Sequence, residues 1–237
     1  MNKPVENVDN LLRRRGILGV FAKEPVPGQV KTRLCPPFTV EQAAALYCCA
    51  LSETIATMSG GDFDLAICYA GDAEYFRRTF PGLPLYPQRG KDLGARMDNA
   101  LQGFLAAGYR SAVLIGSDSP DLPLAHVQEA FAALTQQDLV VAPARDGGYV
   151  LIGEARHIPA LFEGVVWSSD QVLSQTLERA QQEGVEPHLL PQWEDLDTAA
   201  ALTSLLCRSP QSQTAAFLRN TTVAGALSAT ADGAECG

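Results

Sequence analysis

The chain of 237 residues has six cysteines (Cys35, Cys48, Cys49, Cys68, Cys207 and Cys236) but no C-x-x-C pair and no Cys/His cluster at zinc spacing. That excludes the common zinc and dithiol-redox motifs and leaves reduced thiols in a cytoplasmic protein as the expectation. A catalytic thiol is not expected among them, since none sits in a recognisable Cys/His nucleophile arrangement, and of the adjacent pair Cys48 and Cys49 one is expected inside and the other partly exposed. His126, His157 and His188 show no ligand spacing. Apolar runs stay well short of the roughly 20 residues a membrane-spanning helix needs. Arg13-Arg14-Arg15 followed by Gly16 to Ala22 is signal-like only until Lys23-Glu24 interrupts it, so the run reads as a strand. Positive charge is also scarce, with 18 Lys and Arg against 27 Asp and Glu and a net charge of -9. This speaks against general nucleic-acid binding, and an acidic chain that takes a phosphate ligand must gather its cations locally or borrow a metal.

Two nucleotide signatures are missing as well. At Lys31-Thr32, Pro25 and Val30 stand where a Walker A loop needs glycines, and Gly16 and Gly19 have no third glycine at the dinucleotide-binding offset. What remains is the stretch from Gly19 to Leu34, a short apolar strand running into a loop with Pro25, Pro27, Gly28 and the cations Lys23, Lys31 and Arg33. Prolines restrict the backbone, glycine lets a ligand approach, and the cations match the charge of a di- or triphosphate. A solvated basic loop is the plain alternative.

Hydrophobic content of 46% with 19% charged residues is ordinary for a globular protein. Apolar runs at Ile17 to Ala22, Leu65 to Tyr69, Ala112 to Ile115, Leu139 to Ala142 and Tyr149 to Ile152 read as strands. Helices are expected over Val40 to Met58, with Thr39 and Gln42 as a capping box, and over Asp72 to Phe80, Leu93 to Ala107, Leu124 to Leu134 and Ser169 to Glu183. Such alternation predicts a mostly parallel sheet covered on both faces. Too few residues separate the runs at 139 and 149 for a helical crossover, so that pair must be antiparallel and the sheet mixed. With no repeats and no linker, one domain over residues 16–220 is expected, with loose termini at 1–15 and 221–237.

Four segments carry chemistry. Gly116-Ser117-Asp118-Ser119-Pro120-Asp121 follows a predicted central strand, at the edge where α/β sheets bind ligands. Asp118 there suits Mg or Mn; both it and Asp121 are also placed to cap the next helix. Glu194-Asp195-Leu196-Asp197-Thr198 is a second acidic group in which Asp197 either completes the metal shell or caps a helix. Gln88 to Met97 brings Arg89, Lys91 and Arg96 to a helix start, which favours anions. Asp146-Gly147-Gly148-Tyr149 is a turn that also offers close backbone approach, a hydroxyl acceptor in Asp146 and an aromatic face in Tyr149. Trp167 either shapes an acceptor pocket or anchors the following helix.

The runs FAKEPVPGQVKTRL, QRGKDLGARM, GSDSPDLP and DGGYVLIG, in that order between about Ile17 and Asp197, resemble the candidate glycosyltransferases related to nucleotide-diphospho-sugar transferases. Some relatives of that family are associated with arsenosugar biosynthesis. More distant similarity reaches nucleotidyltransferases of molybdenum-cofactor and deazaflavin-cofactor synthesis. The resemblance implies a single-domain GT-A-like three-layer α/β/α fold with a mixed, mostly parallel sheet. It implies a donor-binding set of Ala22, Lys23, Gly28, Lys31, Thr32, Arg33, Gln88, Gly90, Asp92, Gly94, Arg96, Gly147 and Gly148. It also implies catalytic roles for Asp118 and Asp146, and a divalent metal, Mg or Mn, on Asp118 and Asp197. Where the family has an acidic follow-up after Asp197-Thr198, this chain has Ala199-Ala200-Ala201. The expected partners are a nucleotide sugar or nucleoside triphosphate and a small-molecule acceptor. Glycosyl transfer, nucleotidyl transfer with release of pyrophosphate, and nucleotide binding without turnover all fit these residues.

Overall fold

A computed structural model describes residues 15–221. Seven strands form one sheet in the order β3-β2-β1-β4-β6-β5-β7, with β1 Ile17–Lys23, β2 Asp64–Ala70, β3 Leu85–Pro87, β4 Ala112–Gly116, β5 Leu139–Pro143, β6 Tyr149–Glu154 and β7 His188–Leu189. Strands β3, β2, β1 and β4 are parallel neighbours, while β6 runs antiparallel to both β4 and β5. The expected mixed sheet is therefore observed, and the antiparallel pair is the one that the short 144–148 connection requires. Strands β3 and β7 are too short to leave a periodicity in sequence.

Helices α1 Val40–Met58, α2 Ala73–Thr79, α3 Leu93–Ala106, α4 Leu124–Ala133, α5 Val172–Gln182, α6 Ala199–Arg208 and α7 Gln213–Asn220 cover the sheet. The capping box of α1 is present, with Gln42 N–H donating to Thr39 Oγ1 and Thr39 N–H to Gln42 Oε1. Strand alternation sorts the core into two layers. Leu18, Val20 and Ala22 face one side with Leu51, Ile55 and Val127, while Ile17, Ala66, Cys68 and Leu114 face the other with Leu101 and Phe104. Each fully buried Leu or Ile contributes about 1.5–3 kcal/mol, so both layers are needed to hold the sheet edge rigid. A third cluster, with Leu34, Leu46, Leu196, Leu202 and Leu218, seats the C-terminal helices. There Glu53 of α1 accepts hydrogen bonds from Gln213 N–H and Thr214 N–H at the start of α7, a helix the sequence reading did not anticipate.

Two expectations change. Cys48 and Cys49 are both half-buried rather than split between inside and outside, because Tyr75 and Thr214 lie within sulfur hydrogen-bond distance of one each. The termini expected to be loose lie outside the described residues, except Thr221 and Arg15; Arg15 pairs with Asp62 and Asp64. Among the described residues no helix is long and apolar enough to cross a membrane.

Candidate functional site

The parallel strands β1, β2 and β4 end at Lys23, Ala70 and Gly116, and the antiparallel β6 begins at Tyr149 on the same edge, since Ile115 pairs with Leu151. Strand β3 runs parallel to β2 and β7 parallel to β5, so the segments from Gln88 and Glu194 leave from the same edge as those at Gly116 and Asp146. Buried polar contacts fix their roots. Tyr47 of α1 accepts from Lys23 N–H at 2.8 Å and lies 2.7 Å from Ser117 Oγ, which donates to Phe21 O at 3.0 Å. Burial, and next the charge of Asp118, push the Tyr47 phenol up to about 12, so it stays neutral and serves as a tie. Gln88 donates to Cys68 O at 2.8 Å and Ala22 O at 3.3 Å, joining the ends of β2 and β1.

At the centre, Lys31 Nζ is 2.7 Å from Asp118 Oδ1 and 2.7 Å from Asp197 Oδ1. The Lys31 side chain is 4% exposed, whereas Asp118 and Asp197 are 43% and 33% exposed, so the ammonium lies beneath two carboxylates that open to solvent. Burial opposes the charge on Lys31, but Asp118 and Asp197 outweigh it and raise its pKa above the ordinary lysine value. Arg33 is 69% exposed and 3.6 Å from Asp197 Oδ2. The loop reaches this arrangement through a left-handed Lys31 (φ 49°) leading into a short 3-10 turn, Thr32–Leu34, anchored by buried Leu34. Thr32, Gly28 and Lys23 lie on its exposed rim.

The capping alternatives separate cleanly. Helix α4 has Pro123 at its N-cap and no side-chain cap, so neither Asp118 nor Asp121 serves it. Asp121 instead receives a two-point contact from Arg208, at 2.6 and 3.2 Å. Helix α6 is capped by Thr198 Oγ1, which accepts from Ala201 N–H at 3.1 Å, leaving Asp197 to Lys31. Asp195 is pushed up to about 6 by burial first and then by the charges of Asp197 and Asp146. That coupling puts Asp146 in electrostatic reach of the same cluster. Asp146 also accepts from Gly148 N–H at 3.0 Å, which shapes the turn. Gly147, at φ 90°, is pressed against Asp170 O, where any Cβ would collide.

The second basic segment is built around α3. Asp92 caps it by accepting from Ala95 N–H at 2.8 Å, Asn99 donates to Arg89 O at 3.1 Å, and Arg96 Nε donates to Gly90 O at 3.4 Å. Arg96 thus steadies its own loop. Gly94 is overlain by the Trp167 indole, leaving no room for a side chain. Trp167 also lines a cavity of about 400 Å³ with Lys91, Asp92, Asp98, Phe162 and Glu163. Tyr149 departs from the expected ligand platform, since its hydroxyl points inward, 4.0 Å from Met97 Sδ, and burial raises its pKa.

Among the described residues no group of three or more His, Cys, Asp or Glu could hold a metal by itself. Two carboxylates already straddling a cation nevertheless fit Mg or Mn, which commonly take one or two carboxylates and complete their shell with substrate phosphates and water. Formal charge points the same way. Lys31 and Arg33 are cancelled by Asp118 and Asp197, and Asp146 and Asp195 tip the balance negative. A diphosphate cannot be neutralised there without a further cation; one uncompensated pair at 4 Å costs about 4 kcal/mol at an effective dielectric of 20.

The sequence reading assigned no role to Tyr47, Ser117, Arg208 or His157. Tyr47 carries only a burial signal in sequence, and its partner is 70 positions away. His157 lies 3.0 Å from the fully buried Glu154 and 3.1 Å from Asp98. Its pKa is raised, chiefly by the hydrogen bond to Glu154, so it holds a proton in the fold that the unfolded chain releases near the ordinary value of about 6.5. Its stabilisation is therefore complete below that value and is lost as pH rises through the folded pKa. Burial raises the Glu154 pKa and acts in the same sense. Thermal melts should show the melting temperature falling from pH 6 to pH 9, with a shallower fall in Glu154→Gln; equal slopes in both proteins would remove this triad from the pH response.

Comparison with known proteins gives the wider setting. The family model described as an uncharacterized protein conserved in bacteria (DUF2064) matches residues 51–169. A crystal structure of a candidate nucleotide-diphospho-sugar transferase from Desulfovibrio desulfuricans G20 is 36% identical, with a TM-score of 0.84 over 91% of this chain and 97% of that one. A Mycobacterium tuberculosis H37Rv protein solved as a complex with manganese is 17% identical, with a TM-score of 0.51 over 82% of this chain and 98% of that one. CMP:2-keto-3-deoxy-manno-octonic acid synthetase, complexed with CTP, is 9% identical, with a TM-score of 0.52 over 83% and 99%. The last two share the fold alone. No curated protein matches the chain. The chain belongs to the bacterial family DUF2064 and has the nucleotide-diphospho-sugar transferase fold.

Proposed function

We propose that this protein is a metal-assisted transferase that uses an activated nucleotide donor, and that its reaction is glycosyl transfer from a nucleotide-diphospho-sugar. The nucleotide-utilising transferase class is supported by the family and fold. The observation that carries the proposal is Lys31 Nζ held 2.7 Å from both Asp118 and Asp197 at the ligand-binding edge of the sheet. It joins the basic loop and the acidic segments in one place, as a pyrophosphoryl ligand requires. Asp118 and Asp197 would hold Mg or Mn, which when bound supplies charge neutralisation for the leaving diphosphate. Lys31 and Arg33 bind the phosphate oxygens, Gly147 and Gly148 let the donor approach the backbone, and Asp146 orients a sugar or acceptor hydroxyl. The segment from Gln88 to Arg96 embraces the nucleoside half. In the transfer, the acceptor oxygen bonds to the anomeric carbon as the bond from that carbon to the phosphate oxygen breaks, and the acceptor proton leaves to a base.

Nucleotidyl transfer is the second reading, because the CTP-bound synthetase shares this fold and the same cations and carboxylates suit attack at an α-phosphate. The two separate by product. Purified protein with Mn and a panel of nucleotide sugars and nucleoside triphosphates should release nucleoside diphosphate from one sugar donor, slowly with water as acceptor. Pyrophosphate from a triphosphate would establish the second reading in its place. Metal-dependent binding with neither product would leave a nucleotide-binding module, and no binding of either ligand class would end the proposal.

A further inference from the structure

The residue that joins the two carboxylate-bearing segments lies outside all four sequence motifs. Arg208, in the last turn of α6, places Nε 2.6 Å from Asp121 Oδ2 and Nη2 3.2 Å from Asp121 Oδ1, while Nη1 donates to Glu194 Oε2 at 3.0 Å. Its guanidinium carbon sits 5.0 Å from the centre of the Trp193 ring, whose other neighbour is His126, 5.2 Å between ring centres. Ser209 adds a hydrogen bond to Asp121 Oδ2 at 3.2 Å. The Asp121 side chain is 2% exposed, so this fork meets a desolvated carboxylate, the geometry in which arginine exceeds lysine.

Asp121 ends the loop that presents Asp118, and Trp193-Glu194 begins the segment that presents Asp197. Backbone bonds lace these segments together: Leu196 N–H donates to Asp118 O at 2.8 Å, Trp193 N–H to Pro143 O at 2.9 Å, and Arg145 N–H to Trp193 O at 3.2 Å. Glu194 is shared with Arg145, 3.8 Å away, next to Asp146. We propose that Arg208 is a positioning residue, a strap that sets the separation of Asp118 and Asp197 and so the affinity of the site for a divalent cation. The inference rests on the reading of those carboxylates as metal ligands. Arg208 touches neither of them and acts through Asp121 and Glu194, as outer partners of ligating groups do.

The test is titration of full-length protein with Mn and a nucleoside diphosphate, following free Mn by electron paramagnetic resonance. Wild type, Arg208→Met, Arg208→Lys and the double variant Arg208→Met with Asp121→Asn are compared under conditions where circular dichroism shows each folded. Arg208→Met should weaken Mn affinity about tenfold, and Arg208→Lys should recover part of the loss because one ammonium cannot fork to both acids. If Arg208→Met fails to fold, the double variant, which removes both desolvated charges, answers instead and should show the same weakened affinity. Tight Mn binding by wild type and unchanged affinity in the folded variants overturn the strap alone. A wild type that binds no Mn with nucleotide overturns the site reading and the strap together.

Discussion

Asp118→Asn is expected to cut metal-dependent turnover at least about a hundredfold, on the scale of losing one preorganised charge-stabilising group, while nucleoside binding by the α3 side persists. The substitution keeps shape and removes one negative charge from the pair that straddles Lys31. An exposed loop carboxylate taken by itself has little stability to lose. The structure revises that, since Lys31 is nearly buried and Asp118 supplies one of its two counter-charges. With Asp118 itself 43% exposed and screened, the cost is about 1 kcal/mol, which corresponds to a drop of about 2–4 °C in melting temperature for a chain of this size. Kinetics at saturating Mn together with a calorimetric melt check both parts. Turnover within a few-fold of wild type would remove Asp118 from the centre of the site.

Lys31→Met should separate two effects that ordinarily move together. Its ammonium contacts the same two oxygens that are assigned to the metal, so the lysine and a bare divalent ion compete for them. Removing the competitor leaves two carboxylates facing each other, with Arg33 3.6 Å from Asp197, and Mn affinity measured without nucleotide should rise several-fold. Diphosphate affinity and turnover should fall, the latter by about a hundredfold or more, because the loop has lost its inner cation. Isothermal titration with Mn alone and with nucleoside diphosphate reads the two directions independently. Weakened binding of Mn alone would show that Lys31 organises the carboxylates and does not compete for them.

Most of this site was legible in sequence for local reasons. Alternating apolar runs marked five of the strands, Thr39 and Gln42 marked the start of α1, and the short connection before Tyr149 forced an antiparallel pair. Because ligands gather at the carboxyl edge of such sheets, those strands already brought Lys31, Asp118 and Asp146 to one edge. What stayed hidden depends on tertiary partners. Nothing near Asp121 in sequence distinguishes a metal ligand from a salt-bridge anchor; Arg208, 87 positions away, makes it the latter. Metal ligation and helix capping compete equally for Asp197 in the sequence; in the fold Ala201 N–H donates to the Thr198 hydroxyl, so Asp197 is not the cap. Tyr149 looked like an aromatic platform because its turn is at the site, yet its ring occupies the α3 side of the core. Strands of two or three residues, β7 and β3, are defined by their neighbours' hydrogen bonds and leave no pattern of their own.

The proposed function requires one site at Lys31, Asp118 and Asp197 in which a divalent cation and the lysine divide the charge of a pyrophosphoryl group. Crystals soaked with Mn and a nucleoside diphosphate, with data collected at the Mn absorption edge, test it most directly. The account predicts an anomalous peak at Asp118 and Asp197, with phosphate oxygens completing the shell and Lys31 Nζ turned from the carboxylates to the phosphate. A peak elsewhere, or none, with Lys31 still bridging the two acids and the nucleotide bound away from them, would contradict it.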